Sequence, residues 1–241
     1  MHAWRRSVSA GPIHLQPSGQ LAERVLLPGD PGRALLLAQS LLEAPIMFNH
    51  HRGLWGYTGK APDGLPLTIQ STGMGGPSAA IVISELADLG AAVLIRVGTC
   101  GGLHPALGLG SLVVADRALP FDGAGSVLSG GENPLHPDPQ LLAELSADPE
   151  TRQGAVAATD LFYENPPEEQ DRWRRGGAAV VDMETATLYA LARRRGLRAA
   201  SLLLVTDLLW PERTRMAHEA LPDHERRLGE VALRGLLSCS G

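Results

Sequence analysis

The sequence is short of the residues on which several protein classes depend. Two cysteines, Cys100 and Cys239, in 241 residues supply neither a disulfide framework nor a zinc-ligand spacing. A reducing cytoplasm is the simplest setting for them. Lysine occurs once, at Lys60, and arginine carries almost all the positive charge. The 21 basic side chains are outnumbered by 26 acidic ones, and a formal charge of −5 offers no field to hold a polyanion, which argues against a nucleic-acid partner. Met1 to Ala10 carry Arg5 and Arg6 without an apolar run behind them. A soluble, unprocessed chain is therefore expected, with no secretory signal, no membrane partner and a flexible stretch over residues 1–12. Neither a P-loop nor a dinucleotide-binding glycine signature occurs.

What is present suffices for a folded α/β chain. With 44% hydrophobic and 20% charged positions it can bury one large core or two small ones, and neither disorder nor a coiled coil fits. The β-type run Val25-Leu26-Leu27 meets the turn Pro28-Gly29-Asp30-Pro31-Gly32, followed by helical composition from Ala34 to Leu42. Leu65 to Thr72 repeats the pattern, with Gly73-Met74-Gly75-Gly76-Pro77-Ser78 as its turn and a helix from Ala79 to Leu89. Ala92 to Val97 predicts a third strand, ending in Gly98-Thr99-Cys100-Gly101-Gly102. Further strands are expected at Leu112 to Ala115, Gly154 to Ala158 and Ala199 to Thr206. Val180-Val181 leads into a helix over Thr185 to Arg195, and Met216 to Leu237 reads as a closing helix broken near Pro222. The stretch Pro120 to Pro139, rich in Gly, Pro and Ser, reads as a long surface loop. Strands alternating with helices predict an α/β fold on a largely parallel sheet, and no repeat or composition shift divides residues 1–241 into two domains.

In such sheets ligands sit beyond the carboxyl ends of the strands, so the residues just after each strand are the candidates for chemistry. Arg33 and Arg96 each lie beside a glycine-rich turn, where backbone N–H groups can face an anion and a guanidinium can grip two of its oxygens. Either one alone could be a solvated charge. Together they suggest a small free phosphate, because Arg96 ends the apolar run Val93 to Val97, where an unpaired charge is costly. Asp182 and Glu184 flank Met183 at a strand-to-helix junction, where acids also suit a helix N-terminus. Glu184 could in addition accept both hydroxyls of a ribose. Asp207 follows the buried run Ala200 to Thr206, and is either a plain strand-end acid or a group that holds or delivers a proton.

Seven segments then carry a resemblance. Leu27-Pro28-Gly29-Asp30-Pro31 with Arg33, His51-Arg52-Gly53 through Gly56-Tyr57-Thr58-Gly59, and Gly73-Met74-Gly75-Gly76-Pro77-Ser78 come first. Ile95-Arg96-Val97-Gly98-Thr99-Cys100-Gly101, Asp160-Leu161-Phe162-Tyr163, Asp182-Met183-Glu184-Thr185-Ala186 and Val205-Thr206-Asp207 follow. In this order they resemble the purine and uridine nucleoside phosphorylase family, most closely its hexameric bacterial purine branch, from about Ile13 to the C-terminus.

The resemblance implies a three-layer α/β/α domain around a mixed, largely parallel twisted sheet. It also implies a phosphate site of Gly29, Arg33, Arg96 and Thr99, with Arg52 reaching in from a neighbouring subunit. Met74, Met183 and Glu184 would hold the ribose. His14 resembles the histidine lent across a dimer interface to the ribose 5′ end, the alternative being a surface histidine. Phe162, Val181 and Asp182 would line the base, and Asp207 would protonate or hydrogen-bond purine N7. Phosphorolysis needs these parts together: a bound phosphate, the co-substrate, stabilises the positive sugar and attacks its anomeric carbon while an acid neutralises the departing base. No metal or organic cofactor is required.

Asp207 and the short stretch from Tyr163 to Met183 match the purine branch, although Gln170-Asp171-Arg172 is a Gln-x-Arg of the kind the uridine branch uses; it is read here as a solvated helix start. Asp182 stands where purine enzymes usually carry glutamate, and a helper arginine cannot be assigned between Arg213 and Arg215. A uridine phosphorylase of the same family is the first alternative; a nucleoside hydrolase of the same fold is the rival enzyme class, disfavoured by Arg33, Arg52 and Arg96, and a non-catalytic nucleoside or phosphate sensor is a different class again. Sites shared through Arg52 and His14 predict an obligate homodimer, and the resemblance extends this to a hexamer, a trimer of such dimers.

Overall fold

The computed structural model describes residues 11–238, so Cys239, Arg5, Arg6 and residues 1–10 of the stretch expected to be flexible lie outside the described residues. The strands are β1 (Arg24–Leu27), β2 (Glu43–Asn49), β3 (Gly56–Lys60), β4 (Pro66–Gln70), β5 (Val93–Gly102), β6 (Leu112–Pro120), β7 (Thr151–Ala158), β8 (Ala178–Asp182), β9 (Arg198–Leu208) and β10 (Thr214–Arg215). The helices are α1 (Pro31–Leu41), α2 (Gly76–Asp88), α3 (Gly123–Ser129), α4 (Pro139–Ser146), α5 (Pro167–Arg175), α6 (Thr185–Arg195) and α7 (Leu221–Ser238).

One sheet runs β10-β9-β6-β7-β8-β5-β1-β4-β3-β2, and β9 pairs with β5 as well. Strands β5, β9, β6, β7 and β8 therefore close into a ring, from which β1, β4, β3 and β2 extend as an open wing. The sheet is mixed: the longest pairings, β5 with β9 and β6 with β7, are parallel, as are those of β1 with β4 and β5, whereas β6 with β9 and β5 with β8 are antiparallel.

Period-two alternation sorts the strands' side chains into two cores. Val25, Leu27, Leu94, Val113 and Leu203 face α2 and α6, packing on Val82, Ile83 and Leu188. The intervening Leu26, Ile95, Val97, Val114 and Leu202 face α1, α4 and α7, packing on Leu37, Leu141 and Leu228. The sheet thus lies between two helical layers.

Local chemistry sets the helix starts. Asp30, Asp122 and Asp138 cap α1, α3 and α4 by accepting from the backbone N–H three residues on, and Pro31 and Pro139 open α1 and α4, where no partner for a proline N–H is needed. Helix α5 carries Glu168 and Glu169 in its first turn and Arg172, Arg174 and Arg175 in its last, matching the helix dipole.

Several expectations need correction. The glycines from Gly98 to Gly102 continue β5, because both β9 and β8 supply ladder partners there. The stretch Pro120 to Pro139 contains α3, nucleated by Asp122, and its Leu135 is buried against Ala118. Helix α7 begins at Leu221, so Pro222 lies in its first turn and does not break it. Gln170-Asp171-Arg172 sits in the middle of α5 and does not start it. Strands β2 and β3 have no strand signal in the sequence reading above: five residues of β2 are exposed, so its sequence lacks the alternation of a half-buried strand.

Candidate active site

The carboxyl ends of β1, β4 and β8 meet beside Arg96 in the middle of β5, whereas β5 and β9 end together further on, at Gly102 and Leu208. The turns after β1 and β4 are hydrogen-bonded to each other, Thr72 N to Pro28 O at 2.9 Å and Gly73 N to Gly29 O at 3.1 Å. A Cβ at Gly29 would stand 3.2 Å from the Gly73 carbonyl, so glycine lets the two turns approach.

Arg96 projects from β5 and is 5% exposed. Its Nε donates to Asp182 Oδ2 at 2.9 Å, and its Nη2 lies 2.5 Å from Glu184 Oε2. The anionic partners that so buried a cation requires are two carboxylates of the chain itself. Nη1 is buried with no hydrogen-bond partner. Burial by itself would pull the guanidinium pKa down, but Glu184 and Asp182 outweigh it and hold Arg96 above its usual value, firmly charged. Glu184 is pushed up, first by burial and further by Asp182, with Arg96 opposing. Its other oxygen accepts from Gly75 N at 2.6 Å, tying α6 to the start of α2. The void beside this pair, lined by Leu27, Thr72 and Leu188 among others, measures about 10 Å³, space for one water at most.

Arg33 reaches the same strand from the other side. Its Nη1 donates to Val97 O at 3.4 Å and its Nε to Glu225 Oε1 at 2.7 Å. Arg96 packs against the next residue, where a Cβ on Gly98 would lie 2.6 Å from the Arg96 Cζ. Two guanidinium groups thus flank Val97-Gly98, which glycine alone permits. Glu225 carried no sequence signal, being one acid in a polar helix start. Thr99 follows, half-buried.

Asp182 corrects the sequence reading. Its carboxylate is fully buried and engaged by Arg96, by Thr185 Oγ1 at 2.6 Å and by Thr185 N, so it holds Arg96 instead of facing a base. Asp207 is 7% exposed; Thr206 Oγ1 donates to its Oδ2 at 3.0 Å, while Oδ1 is buried without a hydrogen bond. Arg215, paired with Asp207 across β10 and β9, places Nε 3.7 Å from that Oδ1, so of Arg213 and Arg215 it is Arg215 that stands by the acid. Val181 lies beneath Gly101, whose Cβ would meet Val181 Cγ1 at 3.2 Å. Met183 approaches Gly75, Met74 is exposed, and Phe162 is half-exposed with its ring edge-on to Tyr163 at 4.8 Å.

His14 is not brought to this cluster, and Arg52 makes no ion pair with it. His14 is held at the far end of α2, where Nδ1 meets Glu85 Oε1 at 2.7 Å and the backbone N–H groups of Ile13, His14 and Leu15 donate to the same carboxylate. At 1.5 Å per residue this is about 14 Å along the helix from Gly76. Arg52 is exposed, at φ 57°, and makes no ion pair among the described residues. A separate hollow of about 850 Å³ opens at the amino ends of β1 and β5, lined by Ala22, Arg24, Ile46, Thr58 and Val93, away from these groups. Among the described residues no three His, Cys, Asp or Glu side chains gather as a metal site, and no helix is long and apolar enough to cross a membrane.

The sequence pattern of the phosphorylase superfamily matches residues 23–238. The purine nucleoside phosphorylase DeoD-type of Clostridium perfringens is 38% identical over 207 residues, 82% of this chain and 87% of that protein. The protein of the same description from Geobacillus kaustophilus is 36% identical over 228 residues, 91% and 95% of the two chains. The guanosine phosphorylase of Halorubrum lacusprofundi is 35% identical over 199 residues, 80% and 82%. Among solved structures, a uridine phosphorylase from Vibrio fischeri complexed with 6-hydroxy-1-naphthoic acid superposes with a TM-score of 0.80 at 28% identity, covering 91% of this chain and 93% of that one.

Proposed function

The chain belongs to the phosphorylase superfamily, and from that membership and the site geometry we propose that it cleaves purine nucleosides with inorganic phosphate, yielding free purine and (deoxy)ribose 1-phosphate for nucleoside salvage. The observation that carries this reading is the buried, unpartnered Nη1 of Arg96, which lies where Arg33 and Arg96 flank Val97-Gly98 and beside Glu184. A buried N–H without an acceptor is costly, and a phosphate oxygen supplies one.

In this reading phosphate sits on Gly29, Arg33, Arg96 and Thr99, and Glu184 accepts the ribose hydroxyls beside Met74 and Met183. Phe162 and Val181 wall the base. The C1′–N9 bond breaks with its electron pair going to the purine, phosphate oxygen bonds to C1′, and Asp207 delivers a proton or hydrogen bond to N7 with Arg215 beside it. Phosphate is co-substrate, and no other cofactor enters. The enzyme acts as a single domain in the cytoplasm, its sites completed by Arg52 and His14 of a second subunit. The exposure of Arg52 and the distance of His14 from its own subunit's site support that sharing; the hexamer follows from the resemblance.

The test is cleavage of inosine, guanosine, adenosine and uridine with and without phosphate. Phosphate-dependent release of purine is expected. Undiminished cleavage without phosphate would make the protein a hydrolase, preference for uridine would move it to the pyrimidine side to which its structural neighbour belongs, and no turnover at all would favour a sensor.

A further inference from the structure

Behind Arg96 runs a hydrogen-bonded chain that none of the expected roles includes. Ser201 on β9 is the register partner of Arg96 on β5 and is fully buried. Its Oγ lies 2.9 Å from Thr185 Oγ1, which lies 2.6 Å from Asp182 Oδ2, which accepts from Arg96 Nε at 2.9 Å. The direction is fixed by what each group can do. An ionised carboxylate only accepts, so Thr185 donates to Asp182, and the remaining Thr185 lone pairs receive the proton of Ser201. Thr185 N also donates to Asp182, so the carboxylate is held from its own helix start as well as from β9.

We propose that Thr185 and Ser201 are positioning residues for phosphate: they lock the Asp182 carboxylate, which in turn holds the Arg96 guanidinium so that Nη1 points at the phosphate oxygen. The inference rests on the phosphate site of the reading above. Aspartate is one methylene shorter than glutamate, and the Thr185 hydroxyl fixes this short side chain within reach of Nε. A guanidinium anchored at Nε keeps its plane, and with it the direction of both Nη groups. Thr185 and Ser201 touch no substrate in this scheme and act only through Asp182 and Arg96.

The experiment measures Kd for inorganic phosphate by titration calorimetry, alongside KM for phosphate and for inosine, in wild type, Thr185→Val, Thr185→Ser and Ser201→Ala, with Tm as the folding control. Thr185→Val keeps shape and removes the hydroxyl. It is expected to weaken phosphate binding about three- to tenfold, the worth of one buried hydrogen bond, with KM for inosine within about twofold. Thr185→Ser should restore wild-type binding. Ser201→Ala should act in the same direction, and the Thr185→Val/Ser201→Ala double variant should be no worse than Thr185→Val, since both act on one chain. Unchanged phosphate Kd in both Thr185→Val and Ser201→Ala would overturn the proposal, as would equal loss in Thr185→Ser and Thr185→Val. If Thr185→Val does not fold, Ser201→Ala alone decides. A wild type that turns over no nucleoside yet binds phosphate would remove the phosphorolysis reading and leave this test standing; a wild type that binds no phosphate removes both.

Discussion

Arg96 Nη2 lies 2.5 Å from Glu184 Oε2, so the group proposed for phosphate and the group proposed for ribose are each other's partner. A ribose on Glu184 would have to compete with that pair. If phosphate at Nη1 draws on the charge of Arg96, its hold on Glu184 through Nη2 weakens and the carboxylate is freed for the sugar diol. Nucleoside is therefore expected to bind more tightly when phosphate is present, by about 5- to 150-fold, the usual span of such coupling. Calorimetric titration of inosine with and without sulfate, a non-reacting analogue of phosphate, measures it; equal affinities would contradict the coupling.

Asp207 has a buried oxygen without a hydrogen bond, and Arg215 3.7 Å from it. If that oxygen serves purine N7, Asp207→Asn should lower kcat for inosine by about 100- to 10,000-fold, the range of general-acid catalysis, and leave KM for phosphate near the wild-type value. Steady-state kinetics decide the matter, and an unimpaired kcat would remove Asp207 from the chemistry.

Arg52 is exposed and unpaired among the described residues, whereas Arg96 is buried in its own subunit. Should each site take Arg96 from one subunit and Arg52 from the other, Arg52→Ala and Arg96→Ala proteins would be inactive singly. Co-expressed, they would recover about a quarter of wild-type activity, because half of randomly paired dimers contain one intact site of two. No recovery on confirmed co-assembly would mean that the sites are not shared.

Asp122 is fully buried at the α3 N-cap, where Oδ2 accepts from Gly125 N at 2.7 Å and from Thr187 Oγ1 at 3.0 Å while Oδ1 has no partner. Burial pushes its carboxyl above the ordinary value of 3.8, with those hydrogen bonds opposing. A carboxyl raised on folding binds more protons in the native state, so its contribution to stability falls as pH rises from the unfolded value through the folded one. Asparagine keeps the capping acceptor and carries no charge. Asp122→Asn is expected to match or exceed wild-type stability at pH 7, with the advantage shrinking as pH falls toward 4. Urea unfolding across that pH range tests it; a variant clearly weaker at pH 7 would show that the charge itself is needed.

The legible parts of the site were those in which a residue type and its local setting carry the meaning. A cation ending the apolar run Val93 to Val97 had to be paired wherever the chain folded, and Asp182 and Glu184 at a strand-to-helix junction had to meet the amino end of α6. Thr185 and Ser201 offered no such cue, since a hydroxyl in a helix or a strand is ordinary until its neighbour is known.

The sequence by itself determined the alternation of strands and helices, the residues at the strand ends and the kinds of charge gathered there, because periodicity and residue chemistry are written along one dimension. Only the tertiary structure decided the pairing: that Arg96 is held by Asp182, 86 positions away, that Arg33 is held by Glu225, 192 positions away, and that Arg215 rather than Arg213 stands by Asp207. Such pairs form because sheet register and helix packing bring distant groups within hydrogen-bond reach. A slip of one residue in strand register would turn each strand side chain to the opposite face, and a slip of one in a helix would swing its side chains about 100° around the axis.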